Sequence, residues 1–371
     1  MRPCSHDSYI AVDNCLTDVP FTSTHDPIYG WFMTSDSPTQ RSNYLERMKL
    51  RSKAVSSIRS FFEERGFVEV DTPVTLAAPA PEPHIEALAT QVQTLCGTER
   101  RYLQTSPELA MKELLTFGLD KIFQIAPVFR DGDDSPVHCP EFRLLEWYRR
   151  GGSWLDMVSD TEALIRHAAR CALGTSEIQV DGQAVDLDQP WRRVSVEEAF
   201  IEHAGFSILS TLDTEALRAQ LGERGIRYVD DDSWDDLFHR VFLERVEPQL
   251  LADPQPLILH SYPAPLASLA RLAPEDARVS ERFEVFIGSL ELCNGFGELT
   301  CPQEQRKRFE HDKALRAAQG MHDYPLPEGF LSALDRLPSS SGNALGLERL
   351  LMILMGSTEL TDTLWLPWKD A

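Results

Sequence analysis

Between residues 44 and 65 (YLERMKLRSKAVSSIRSFFEER) apolar side chains return every three or four positions. Leu45, Met48, Val55, Ile58 and Phe62 fall on one stripe, the period of an amphipathic helix, and Gly66 stands where such a helix ends. FVEVDTPV then predicts a short strand closed by Pro73, and residues 77–84 (AAPAPEPH) a proline-rich loop. After a strand end at 102–105, Ser106, Pro107 and Glu108 predict a helix start: serine as the cap, proline first, glutamate in the first turn. KIFQIAPVFR and EFRLLEWYR predict two strands flanking a polar loop. Residues 154–173 predict a helix, 175–190 a hairpin or loop excursion, and 195–253 a mostly helical, acidic stretch. LILHSYP, ERFEVFIG and LELCNGFGEL predict strands, and 302–319 a helix. A strand, a glycine turn and a helix over 346–355 end the chain. Strands that follow one another without regular βα alternation predict an α+β class, an antiparallel sheet flanked by helices. Residues 1–43 carry little periodicity and predict an irregular arm ahead of one domain over 44–371.

Composition narrows the function. With 42% hydrophobic residues among 371, the chain can bury a sizeable core. Its 36 Lys and Arg face 58 Asp and Glu, a net charge of −22, which argues against broad, non-specific nucleic-acid binding. No apolar run nears the roughly 18 residues of a membrane span, and the first residues lack a signal-peptide pattern. Seven scattered cysteines with no CxxC predict reduced thiols in a cytoplasmic protein and no structural zinc.

Three constellations carry chemistry. In FRDGDDSPVHCPEFRLLEWYR, Arg130 ends an apolar strand, a polar loop carries three aspartates and His138, and the next strand follows. Phe142, Leu144, Glu146 and Tyr148 share a face of that strand by period-two counting. An aromatic, a carboxylate and a phenol on one face can stack a base and seat an amine; a plain hairpin with solvated charges is the alternative. Glu284, Glu291 and Glu298 recur at intervals of seven. That interval is odd, so only turns or bulges, for which Gly288, Gly295 and Gly297 are candidates, would bring them together around a cation or an ammonium. Otherwise they are three glutamates on exposed edges. In GNALGLERLLMILMG, glycines permit close backbone approach and Arg349 lies in the first turn of the last helix, an arrangement suited to phosphate.

Taken in order and spacing, these segments resemble the class II aminoacyl-tRNA synthetases, in their lysyl branch. FRDGDDSPVHCPEFRLLEWY is similar to that class's motif 2, GNALGLERLLM to motif 3, and the 50–73 helix–strand–proline unit to motif 1, which forms the family's dimer interface. TSPE at 105–108 and LELCNGFGEL at 290–299 resemble lysyl-type signatures. The closer resemblance is to the branch's shortened paralogues, which attach β-lysine to elongation factor P. Only about 43 residues precede motif 1, too few for the anticodon-reading OB barrel, and Ala344 stands where the tRNA enzymes have glycine.

The resemblance implies an ATP-dependent, Mg²⁺-assisted homodimeric ligase on a six- or seven-stranded antiparallel sheet. It would activate (R)-β-lysine or lysine as an adenylate and transfer it to elongation factor P rather than to tRNA. By the same resemblance Arg130 grips the α-phosphate and the substrate carboxylate, with Asp131 beside it. His138 meets the β- and γ-phosphates, Phe142 stacks on adenine, and Arg349 holds the γ-phosphate where Gly346 lets the nucleotide approach. Glu284 and Glu291 hold Mg²⁺. Glu108 binds the amine near the carboxylate, with Ser106 also binding substrate. Glu146, Tyr148 and Glu298 receive the ε-ammonium, with Asn294, Phe296 and Ala344 lining the pocket. The chain departs from the family where Arg-Asn-Glu becomes Arg130-Asp131-Gly132, leaving adenine to Asp133, to Asp134 or to backbone. His-Asn-Pro becomes His138-Cys139-Pro140, and the aspartate before the motif 3 arginine becomes Glu348. Two rival readings stay open: a truncated lysyl-tRNA synthetase-like enzyme loading tRNA or another acceptor, and a non-catalytic binding protein of the same fold.

Overall fold

The computed structural model describes residues 38–369. The chain divides into two units, Met1–Asn43 and Tyr44–Ala371. Residues 38–43 of the expected arm are the first turns of a helix, and the rest of that arm lies outside the described residues. The helices are α1 (Pro38–Glu63), α2 (Glu108–Leu115), α3 (Trp154–Leu173), α4 (Val196–His203), α5 (Thr214–Glu223), α6 (Trp234–Val241), α7 (Glu247–Leu250), α8 (Pro302–Ala318), α9 (Glu328–Ala333) and α10 (Leu347–Met355). None is long and apolar enough to cross a membrane.

The main sheet has eight strands among the described residues: β1 (Val68–Glu69), β2 (Lys121–Phe129), β3 (Glu141–Arg150), β4 (Arg192–Ser195), β5 (Leu257–His260), β6 (Arg282–Ile287), β7 (Leu290–Gly297) and β8 (Ser340–Gly346). Their spatial order is β1-β2-β3-β8-β7-β6-β5-β4. The antiparallel α+β class is as expected. The sheet is wider than the six or seven strands expected, because a short parallel strand closes each edge, β1 on β2 and β4 on β5. Two to four residues are too few to show a period. The hairpin of Ala89–Thr94 and Gly97–Leu103 also exceeds the expected strand end at 102–105. Apart from Ala89, Val92, Tyr102 and Leu103 its residues are polar or glycine, so its sequence shows little alternation.

Alternation on the inner strands settles which face is core. Phe123, Leu145, Trp147, Leu345, Cys293, Val285, Phe283 and Ile258 point one way and are buried with Ile58, Phe61 and Phe62 of α1, Leu164 and Ile165 of α3, and Leu350 and Leu351 of α10. Met48, Ile58 and Phe62 bury the α1 stripe as expected; Leu45, expected on it, is 53% exposed. Residues 196–250 form a helical insert with its own core, in which Phe200, Leu237 and Phe238 pack towards Leu257, Leu259 and Phe286 of the sheet. Ser195 and Ser233 start two of its helices with reciprocal caps to Glu198 and Asp236. Cys96, Cys139, Cys171, Cys293 and Cys301 are free thiols.

Candidate active site

The face opposite the core collects nearly every candidate residue, and strand register is the reason. One row of cross-strand partners runs Gln124, Glu146, Ala344, Asn294, Glu284; the next runs Ile122, Tyr148, Gly342, Phe296, Arg282. Side chains two apart on a strand share a face, so the rows lie side by side on one surface. Leu144 and Gly346 are partners further along. Glu291 joins this face through a bulge. Val285 pairs with Cys293 but Phe286 pairs with Glu291, so Leu292 is the extra residue. The bulge is therefore not at Gly295 or Gly297, where it was expected, while Gly288 does sit in the β6–β7 turn with a positive φ. The three glutamates do not converge on one point. Glu284 and Glu291 lie together at one end, and Glu298 belongs to another cluster.

That cluster is buried and strongly charged. Lys112 of α2, 1% exposed, places Nζ 2.5 Å from Glu108 Oε1 and 2.5 Å from Glu298 Oε2. Ser106 Oγ donates to Glu146 Oε1 at 2.7 Å, and Tyr148 Oη donates to Glu146 Oε2 at 2.8 Å. Ser106 also accepts from the Glu108 backbone N–H at 3.0 Å, but the helix begins at Glu108, so Pro107 is the cap residue and not Ser106 as expected. Both Glu146 oxygens are thus engaged, whereas Glu298 Oε1 is buried without a hydrogen-bond partner. Burial and the charge of Glu108 push Glu146 up to about 8. Burial pushes Glu298 up to about 7 against the pull of Lys112, with Glu108 adding to the rise. Burial alone would lower Lys112; the Glu108 and Glu298 carboxylates outweigh it and keep the ammonium charged. Tyr148 stays a phenol, held up by burial and by Glu146. Gly342 makes the floor. A Cβ there would lie 2.2 Å from Tyr148 Cε1 and 2.7 Å from Glu298 Oε1.

The second cluster brings together residues from four separate segments. Arg130, at the end of β2, sits with Cζ 5.2 Å from the Phe142 ring centroid. Arg349 Nη1 donates to the Glu291 carbonyl at 2.8 Å, and Nη2 lies 2.7 Å from His138 Nε2. Glu284 accepts from Tyr262 Oη at 2.5 Å and from Arg282 Nη2 at 2.7 Å. Arg282 also donates to Asn294 Oδ1 at 3.3 Å and covers the Tyr262 ring at 4.4 Å. Burial and the neighbouring Glu284 push Glu291 up to about 7. Two crowded carboxylates, one with oxygens not yet engaged by a donor, suit a divalent cation whose remaining ligands come from phosphate or water.

Lys112, Arg282 and Tyr262 were missed from sequence. Arg282 was within reach, since it lies two residues from Glu284 on the same strand face. Lys112 had no signal, because a lysine on a short amphipathic helix reads as solvated. The departures from the family pattern acquire local explanations. Gly132 has φ +85°, a conformation in which a larger side chain is strained. Asp134 pairs with Lys369 at 2.9 Å. Asp131 is exposed, and its N–H donates to the Glu86 carbonyl at 2.8 Å. Cys139 is buried beside Met352 and Leu360 instead of facing a ligand. Glu348 is 1% exposed and accepts from Arg51 of α1 at 3.2 Å and from the Arg143 N–H of β3 at 2.8 Å. It ties the three motif-like segments together.

A central antiparallel sheet presenting two arginines and a carboxylate pocket on one face defines a class. The family model for tRNA synthetases class II (D, K and N) matches residues 37–370, and the chain belongs to that family of ligases, whose members use ATP. Among curated relatives, the chain is 34% identical to an elongation factor P–(R)-β-lysine ligase of Proteus mirabilis, over 90% of this chain and 99% of the relative. It is 34% identical to a ligase of the same name from Haemophilus influenzae, over 90% of this chain and 98% of the relative. It is 31% identical to a lysine–tRNA ligase of Staphylococcus aureus, over 86% of this chain but only 63% of that relative.

Proposed function

We propose that residues 44–371 form a catalytic domain that activates (R)-β-lysine with ATP and transfers it to a lysine side chain of elongation factor P. One observation carries the reading: a buried carboxylate pocket short of positive charge shares a sheet face with Arg130 and Arg349. Such a pocket selects an ammonium-bearing amino acid, since an unpaired buried charge costs several kcal/mol. The arginines select the triphosphate. The near-complete coverage of the β-lysine ligases supports this branch over the longer tRNA enzymes.

In this mechanism Glu298 Oε1 and the Tyr148 phenol receive the side-chain ammonium, and Glu108 the ammonium nearer the carboxylate. Ser106 holds Glu146 in place, and Asn294, Phe296 and Ala344 shape the remaining space. The substrate carboxylate then points to Arg130. A carboxylate oxygen attacks the α-phosphorus in line, the bond to the bridging oxygen breaks, and pyrophosphate leaves with its electron pair. Arg130 neutralises charge gathering on the α-phosphate, and Arg349 with His138 holds the departing end. Phe142 offers its ring to adenine beside Gly346, near Asp131. Glu284 and Glu291 would hold Mg²⁺, which supplies further neutralisation of phosphate charge. In the second step the neutral ε-amine of the acceptor lysine attacks the acyl carbon, AMP leaves, and the amine's proton is lost to water. A cytoplasmic homodimer joined through residues 50–73 completes the proposal; Val68 within that segment and Leu45 just before it are half-exposed apolar residues.

The test is intact-mass analysis of elongation factor P after incubation with the protein, ATP and (R)-β-lysine. A mass gain of one lysyl residue supports the proposal. An unmodified factor, with label found on tRNA instead, transfers the chain to the lysyl-tRNA reading.

A further inference from the structure

The carboxylate pocket contains a cation of its own. Lys112 reaches from α2 to span Glu108 Oε1 and Glu298 Oε2, each at 2.5 Å, and is 1% exposed. Glu108 lies one helical turn away on the same helix, but Glu298 comes from just past the end of β7. A helix salt bridge alone would not need the second contact. The cluster holds three carboxyls, Glu108, Glu146 and Glu298, and one ammonium. Fully ionised, it is short of two positive charges, and a free lysine or β-lysine brings two ammonium groups. One oxygen of Glu298 is taken by Lys112, and the other is buried without a partner against Gly342.

We propose that Lys112 is a positioning residue that occupies the space between Glu108 and Glu298 and so confines the substrate's distal ammonium to Glu298 Oε1 and Tyr148. Without Lys112 the distal ammonium slides into the vacated place. The substrate carboxylate is then drawn away from Arg130, and the adenylate forms slowly even where the substrate still binds. This rests on the amino-acid pocket assigned under Proposed function.

The experiment is ATP–pyrophosphate exchange with (R)-β-lysine on the full chain, comparing wild type with Lys112→Met, Lys112→Ala and Lys112→Arg, each checked for its melting transition. Lys112→Met is expected to lose about tenfold or more in kcat, with KM for ATP within about twofold. Its acid limb should move up by about one pH unit, because the pocket carboxyls lose their resident cation. Added methylammonium or ethylammonium should restore exchange to Lys112→Ala and leave wild type unchanged. Lys112→Arg keeps the charge and the fold, and should keep the acid limb of wild type. The proposal is overturned if Lys112→Met keeps the wild-type kcat and acid limb. It is equally overturned if losses in all variants follow the melting transition, move both KM values together and resist amine. A wild type without amino-acid-dependent exchange removes the pocket reading itself, and the Lys112 assignment with it.

Discussion

His138 Nε2 lies 2.7 Å from Arg349 Nη2, joining the loop after β2 to the first turn of α10. Arginine has no lone pair to offer, so Nε2 is the acceptor and Nδ1 carries the proton. Nδ1–H then donates to Ser135 Oγ at 2.7 Å. The imidazole is therefore neutral, and burial followed by the Arg349 charge holds its pKa below the ordinary histidine value. Because the folded state favours the neutral ring, this contact survives through the ordinary histidine range and is lost only as pH falls through the lowered pKa. KM for ATP in the exchange reaction should rise on acidification below that point. In His138→Asn the rise should be absent, with KM for ATP already raised several-fold at neutral pH.

The amino-acid pocket should respond to pH in the opposite range. Glu146 at about 8 and Glu298 at about 7 are raised carboxyls, so the empty pocket favours their protonated forms. Their stabilising contribution is full below the ordinary glutamate pKa and is lost as pH rises through 7 to 8. A bound ammonium reverses this by holding them ionised. The thermal shift given by β-lysine should therefore be larger at pH 8 than at pH 6. Proton release on binding, measured by calorimetry in buffers of different ionisation enthalpy, should accompany it near pH 7.

Gly342 is placed between Tyr148 and Glu298 so closely that a methyl group cannot enter without moving one of them. Gly342→Ala leaves the packing of α1, α3 and α10 on the other face intact, but the Tyr148 ring it displaces packs with Met111 and Leu115 of α2, so the variant should fold with a lowered melting temperature. It should raise KM for the amino acid by tenfold or more while leaving KM for ATP nearly unchanged. Equal effects on both would contradict the division of the face into two subsites.

Arg316 is 1% exposed and donates to the Glu82 and Ile85 carbonyls at 2.7 Å, to Glu86 Oε2 at 2.7 Å and to the His322 carbonyl at 3.0 Å. Glu86 in turn receives the Asp131 N–H beside Arg130. Arg316→Met removes the cation from Glu86, whose Oε1 keeps Tyr324 Oη at 2.9 Å and His322 Nδ1 at 2.6 Å, and takes a donor from three carbonyls, at a cost of about 1–3 kcal/mol. A fall in melting temperature should accompany a fall in kcat for exchange, and Glu86→Gln in the same background should recover part of the stability.

Most of this face was legible in the sequence where alternation was unbroken. Phe142, Glu146 and Tyr148 follow from period-two counting on β3, and Arg130 from its place at a strand end. Gly288 marks the turn between Glu284 and Glu291, but the bulge at Leu292 that brings Glu291 onto this face has no compositional mark. The partition of Glu298 away from them was hidden because Lys112, which claims it, lies 186 positions earlier. Edge strands of two and four residues, and a mostly polar hairpin, carry little periodic signal.

ATP–pyrophosphate exchange with purified protein and Mg²⁺, run with (R)-β-lysine, with α-lysine and with no amino acid, tests the central claim most directly. The account predicts exchange that depends on the amino acid and is fastest with (R)-β-lysine. No exchange with either lysine, from a protein whose melting transition shows it folded, would contradict it.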